Sequence, residues 1–100
     1  MVVSLFIHQG REAEFEQFES EAAKIMKRYG GAVERRIVCA PQAGDAVPRE
    51  VHIVTFPDEK AFERYRADPG LGALAELRSR AIRQTTVWRG IDRPLFSSSG

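Results

Sequence analysis

A single cysteine, Cys39, serves the whole chain of 100 residues, so no disulfide can close within it. Nor can Cys39 anchor a zinc centre, because it has no CxxC partner and His8 and His52 do not complete a ligand set. A lone thiol suits a reducing compartment, and the expected location is the cytoplasm. Long apolar runs are missing as well. The opening stretch MVVSLFIHQG has no basic flank and meets His8 after seven residues. It is too short for the core of a signal peptide and far too short to span a bilayer, so no membrane partner is expected. Neither sign of charge is in excess: 15 Lys and Arg stand against 14 Asp and Glu, for a net charge of +1. The basic residues are spread among acids, which leaves no field to draw in nucleic acid or an anionic membrane. A phosphate-cradling glycine loop is absent too, since Gly30, Gly31, Gly70 and Gly72 read as helix stops and a turn. Low-complexity sequence is confined to Ser97–Gly100, a tail expected to be disordered.

What remains is an ordinary globular composition, 43% hydrophobic and 29% charged, in a length that suits one domain over residues 1–96. A chain of this size buries only ~60–65% of the surface its unfolded form exposes, so further burial in an oligomer would help it. Val2 to His8 alternates. Val3, Leu5 and Ile7 make an aliphatic face and Val2, Ser4, Phe6 and His8 a mixed one, as in a half-buried strand. From Arg11 to Tyr29 the period changes. Phe15, Phe18, Ala22, Ile25, Met26 and Tyr29 fall three or four apart on one helical stripe, and Gly30-Gly31 supplies the stop. Glu12, Glu14, Glu16, Glu19 and Glu21 crowd the first half, Lys24, Lys27 and Arg28 the end, which complements the helix dipole. These glutamates are expected to form a solvated face rather than a paired acid–base site.

Ala32–Ala40 carries Glu34, Arg35 and Arg36, charges that suit an edge strand. Pro41–Pro48 predicts a loop and Glu50–Phe56 a third strand. Pro57 stops that strand because it has no N–H for the ladder, and Asp58 caps the next helix, marked by Ala61, Phe62 and Tyr65. Asp68-Pro69 repeats the device and opens a second helical piece with Leu71, Leu74, Leu77, Ala81 and Ile82 on its apolar side. Thr85–Arg89 predicts the last strand, Gly90 ends it, and Ile91–Phe96 is expected to pack as a short extension.

The order βαββαβ predicts an α+β, ferredoxin-like fold: one four-stranded antiparallel sheet with its helices on a single face. The other face is left bare. An apolar patch on a small domain marks an interface, and the simplest partner is a second copy, so a homodimer through the open sheet face is expected. The runs YGGAVERRI, TFPDEKAFERYRADP and LRSRAIRQTTVWRG resemble small proteins of the dimeric α+β barrel superfamily. That group includes antibiotic-biosynthesis-type monooxygenases, EthD-like and NIPSNAP-like proteins and uncharacterised bacterial families, the last being the most similar. The resemblance implies a cofactor-independent monooxygenase or isomerase acting on a small aromatic or polyketide-like molecule. Its alternative is a non-catalytic homodimeric module that binds a small hydrophobic ligand or assembles. The chain contains no asparagine, whereas haem-degrading members resemble one another in an Asn, Trp and His trio. Haem degradation is therefore not implied, and no cofactor is expected. RNA readers of this fold display aromatics on adjacent strands in a basic setting, and only Phe6 matches.

Three residues are candidates for lining a ligand site: His52, Tyr65 and Trp88. His52 in the third strand is either a proton shuttle or a buried imidazole bonded to its surroundings, and no obligatory partner stands out near it in sequence. Whether His52 or Ile53 turns toward a cavity depends on strand register. Tyr65 either points its hydroxyl into a cleft or ends at the core edge. Trp88 floors a cavity for a flat ligand, or fills the core or the dimer seam. Cys39 is expected to be a small buried hydrophobe, since Arg35 and Arg36 alternate in direction and cannot both activate a thiolate.

Overall fold

A computed structural model of the chain describes residues 1–41 and 46–96. The expected loop Pro41–Pro48 lies only partly within these residues, and the expected tail Ser97–Gly100 lies outside them. The elements run β1 (Val2–Ile7), α1 (Glu12–Arg28), β2 (Ala32–Val38), β3 (Glu50–Thr55), α2 (Glu59–Arg66), α3 (Pro69–Gly72), α4 (Ala75–Ala81) and β4 (Ile82–Trp88). The strands form one four-stranded antiparallel sheet in the order β2-β3-β1-β4, so the ferredoxin-like plan expected from the sequence is the one observed. Among the described residues no helix is long and apolar enough to cross a membrane.

The expected punctuation does its work at both Asp caps. Asp58 accepts a hydrogen bond from the Ala61 N–H at 2.7 Å, and Asp68 from the Gly70 N–H at 2.7 Å. The Gly30-Gly31 pair and the Phe56-Pro57 step also meet in space. Gly30 takes φ +73°, and a Cβ there would lie 2.7 Å from Pro57 Cγ; a Cβ on Gly31 would lie 2.5 Å from the Phe56 ring. Missing side chains at the end of α1 therefore let it seat against the β3–α2 junction.

Most boundaries fall within two residues of expectation, and three parts of the chain depart further. The second helical region comes in three pieces, with Ala73 and Leu74 separating α3 from α4. β4 starts at Ile82 rather than Thr85, because Ile82 pairs with Ile7 and still faces the core. An apolar residue entering a strand on its helix-facing side continues a helical stripe without being helical. Ile91–Phe96 does not pack: Leu95 and Phe96 are 95% and 100% exposed, since past Gly90 the segment has left the sheet.

The core lies between sheet and helices. Leu5 meets Phe15, Phe18 and Ala22 of α1 with Ala81 and Ile82, and Val3, Ile7, Leu71, Leu74 and Leu77 pack around them. The Cα atoms span only 16 Å in the thinnest direction, the depth of one sheet and one helical layer. A bulge in β2 sets which side chains face the helices. Val33 pairs with Val54 but Arg35 with Ile53, so Glu34 is the extra residue. Past it the alternation is shifted, and Arg36 rather than Arg35 shares the helix-facing side with its partner His52. On the far face lie Val2, Ser4 and Phe6, then Val51 and Ile53, with Ile37 and Trp88 toward the edges. Val2, Ile37 and Trp88 remain exposed.

Candidate functional site

His52 occupies the middle of β3, an inner strand, and turns into the layer between sheet and helices, while Ile53 faces out. Its residue is 3% exposed and Glu50, two positions back on the same side of the strand, is 2% exposed. The ring Nε2 lies 2.9 Å from Glu50 Oε1. Arg36 reaches across from β2 and grips the same carboxylate with both ends of its fork, Nε to Oε1 at 2.5 Å and Nη2 to Oε2 at 2.8 Å. The same Nη2 donates to Glu16 of α1. Burial pushes the Glu50 carboxyl up, but the hydrogen bonds from Arg36 and His52 outweigh it and hold the group below its ordinary value. In the neutral imidazole, an ionised Glu50 accepts the Nε2–H of His52, an arrangement that puts the lone pair on Nδ1.

That free nitrogen lies 3.7 Å from Glu19 Oε2, beyond hydrogen-bond length and within reach of an ion pair. The Glu19 side chain is 22% exposed. Burial pushes its carboxyl above the ordinary value; His52 opposes the shift and Glu50 adds to it. Glu19, His52 and Tyr65 together line a cavity of about 240 Å³ whose other walls include Leu5, Phe18, Met26, Val54, Phe56 and Phe62. Phe56 sits between Phe62 and Tyr65, with ring centroids 5.3 and 5.4 Å away, and so holds the tyrosine ring in the wall. Burial, with help from the Glu19 charge, pushes the Tyr65 phenol up to about 12, which keeps it a neutral donor. The space exceeds the ~150 Å³ that holds a benzene ring in an engineered apolar cavity. A lone-pair nitrogen, a carboxyl with a raised pKa and a phenol all facing an apolar space can move a proton to or from a weakly acidic C–H or O–H.

Of the three sequence candidates, His52 and Tyr65 come together in this cavity and Trp88 does not. Trp88 pairs with Val2 on the open face and lines a separate groove of about 520 Å³ with Val2, Ile53, Phe62, Arg89 and Ile91. Cys39 is half-buried and free. Glu50 and Glu19 were not legible as site residues by composition, yet each had a signal. Glu50 stands at i−2 from His52, and a period of two puts both on one face, so the histidine does have a partner close in sequence. Glu19 stands four after Phe15 and three before Ala22, inside the buried stripe. The expected solvated face holds for Glu12 and Glu16 and fails for Glu19, which tertiary packing covers. Among the described residues no group of three or more His, Cys, Asp or Glu is placed to hold a metal ion.

The raised Glu19 pKa has a measurable consequence for stability. The folded state keeps this proton after the unfolded chain has lost its own, so stability falls as pH rises from about 4.5 through the folded value and is level beyond it. Glu19→Gln removes the ionisable group. By calorimetry the variant should melt above the parent at pH 8 and close to it at pH 4.

No family model and no curated protein matches the chain. Solved structures do. A protein of unknown function from Rhodopseudomonas palustris matches with a TM-score of 0.72 at 16% identity, over 96% of this chain and 81% of its own. SnoaB, a cofactor-independent oxygenase from Streptomyces nogalater, matches with a TM-score of 0.60 at 25% identity, over 90% of this chain and 91% of its own. A dabb family protein with a ferredoxin-like fold from Mesorhizobium loti matches with a TM-score of 0.56 at 20% identity, over 89% and 94%.

Proposed function

We propose that this chain, which has the ferredoxin-like fold of the dimeric α+β barrel superfamily, is a cofactor-independent enzyme that abstracts a proton from a small aromatic or polyketide-like molecule, as a monooxygenase or an isomerase. The reading is carried by one observation: the Arg36–Glu50–His52 chain ends on a ring nitrogen that faces Glu19 in an apolar cavity. The likeness to SnoaB supports the oxygenase class.

In this scheme His52 Nδ1 takes the proton from a C–H beside a carbonyl or from a phenol. The Glu50 carboxylate stabilises the imidazolium, and Arg36 holds Glu50 in place. The Tyr65 hydroxyl, and Glu19 when protonated, donate hydrogen bonds to the enolate oxygen. Returning the proton to another carbon isomerises the substrate. With dioxygen the enolate is itself the reductant: a methylene becomes a ketone, one oxygen atom stays on carbon, and the other leaves as water with both methylene hydrogens.

A homodimer through the open face belongs to the same reading. Val2, Phe6, Ile37, Val51, Ile53 and Trp88 share that face, on a sheet roughly 20 Å by 20 Å from strand spacing and rise. A two-fold pairing would cover it with an identical surface. His52→Ala should lower turnover at least ~100-fold in oxygen-uptake and product-mass assays on hydroxyaromatic ketones, with no flavin or metal added. Sedimentation should place parent and variant alike at twice the chain mass. Unchanged turnover would remove His52 from the reading, and a single-chain mass at micromolar concentration would remove the dimer. Ligand binding without turnover of any bound compound would favour the non-catalytic module.

A further inference from the structure

We infer that the cavity takes an anionic ligand, an aromatic or polyketide-like carboxylate whose acid group sits at the rim between Arg66 and Arg78 with its ring system inside. The inference rests on the cavity reading above and goes beyond it by fixing the ligand's charge. Arg66 closes α2 and Arg78 lies within α4, and both exposed side chains line the cavity. Each head is anchored on another lining residue. Arg78 Nη2 donates to Thr85 Oγ1 at 2.9 Å, and the Arg66 guanidinium carbon lies 5.6 Å from the Phe62 ring centroid.

Charge is unbalanced at this rim. Among the described residues neither Arg66 nor Arg78 has a carboxylate within ion-pair distance, whereas Arg36 and Arg89 do. Glu19 is the sole carboxylate among the lining residues, and Glu50, which is not one of them, is gripped by Arg36. Two guanidinium groups therefore line the cavity against one carboxyl, which burial discourages from ionising and the Arg78 charge favours only in part. The chain as a whole is close to neutral, so this excess is local. A planar guanidinium fork matches a carboxylate better than it matches any neutral group, and apolar walls behind it favour a flat hydrocarbon body.

The test compares 2-naphthoate with 2-naphthamide, equal in shape and different in charge, by titration calorimetry. The parent protein should bind the acid at least ten times more tightly than the amide, and added salt should weaken the acid alone. The double variant Arg66→Gln with Arg78→Gln should lose that preference while keeping its melting point, since both side chains are exposed. Equal binding of acid and amide, or tighter binding of the amide, would overturn the charge inference and leave the cavity reading standing. Binding of neither compound would overturn both.

Discussion

Phe15→Ala should cost about 3–5 kcal/mol of folding stability, the usual loss for deleting a buried aromatic ring. Phe15 is 1% exposed and is the largest fully buried side chain among the described residues. It belongs to the buried cluster with Leu5, Phe18, Ala22, Ala81 and Ile82, a close-packed setting in which a deleted ring leaves a cavity. A domain of this length has only ~5–15 kcal/mol to lose. The melting temperature should drop by at least ~12 °C, taking ~4 °C per kcal/mol at the low end. Urea denaturation at fixed protein concentration reads the effect, with the midpoint shifted and the slope unchanged. A loss under 1 kcal/mol would mean that the helix does not depend on this ring for its seat.

Glu50→Gln should lower kcat/KM by ~100–10,000-fold with little change in size, by analogy with the cost of a mis-set histidine tautomer in a serine protease triad. The amide can offer its NH2 to His52 Nε2 and drive the ring proton onto Nδ1, the atom that must be free. It also removes the anion that Arg36 grips through two bonds. Breaking a buried ion pair costs ~3–5 kcal/mol, and the loss here should fall below that because the Arg36 side chain is 44% exposed and keeps Glu16. Acid sensitivity separates the two effects. Glu50 has a depressed folded pKa, so its stabilisation is present above about pH 4.5 and is lost as pH falls through the folded value. The variant should melt at a temperature less dependent on pH below that point. A parent-like pH–stability curve in Glu50→Gln would contradict the assigned ionisation.

Much of the fold was readable because its signals are local. The alternation of β1, the stripe of α1, the Gly30-Gly31 stop and the Asp58 and Asp68 caps each depend on residues within a few positions of one another. Ile82 was misplaced because a helix stripe and a strand entry can present the same apolar side. The site was readable only in its aromatic and imidazole members. Glu19 looked like one of the solvated acids of α1 because its burial comes from other elements, which no spacing within one segment reveals, and Glu50 read only as the first residue of a strand although its period of two shares a face with His52. Trp88 was separated from His52 by the sheet itself: the pairing of Val2 with both Ile53 and Trp88 puts the indole on the face opposite the imidazole.

The extra residue at Glu34 gives the tandem Arg35-Arg36 a meaning of its own. If β2 slid by one position so that Glu34 took a partner, Arg35 would arrive opposite His52, where Arg36 now stands. Ile37 and Val38 would trade sides, but a guanidinium would still meet the acid beneath. Consecutive arginines thus leave a guanidinium opposite His52 in either register.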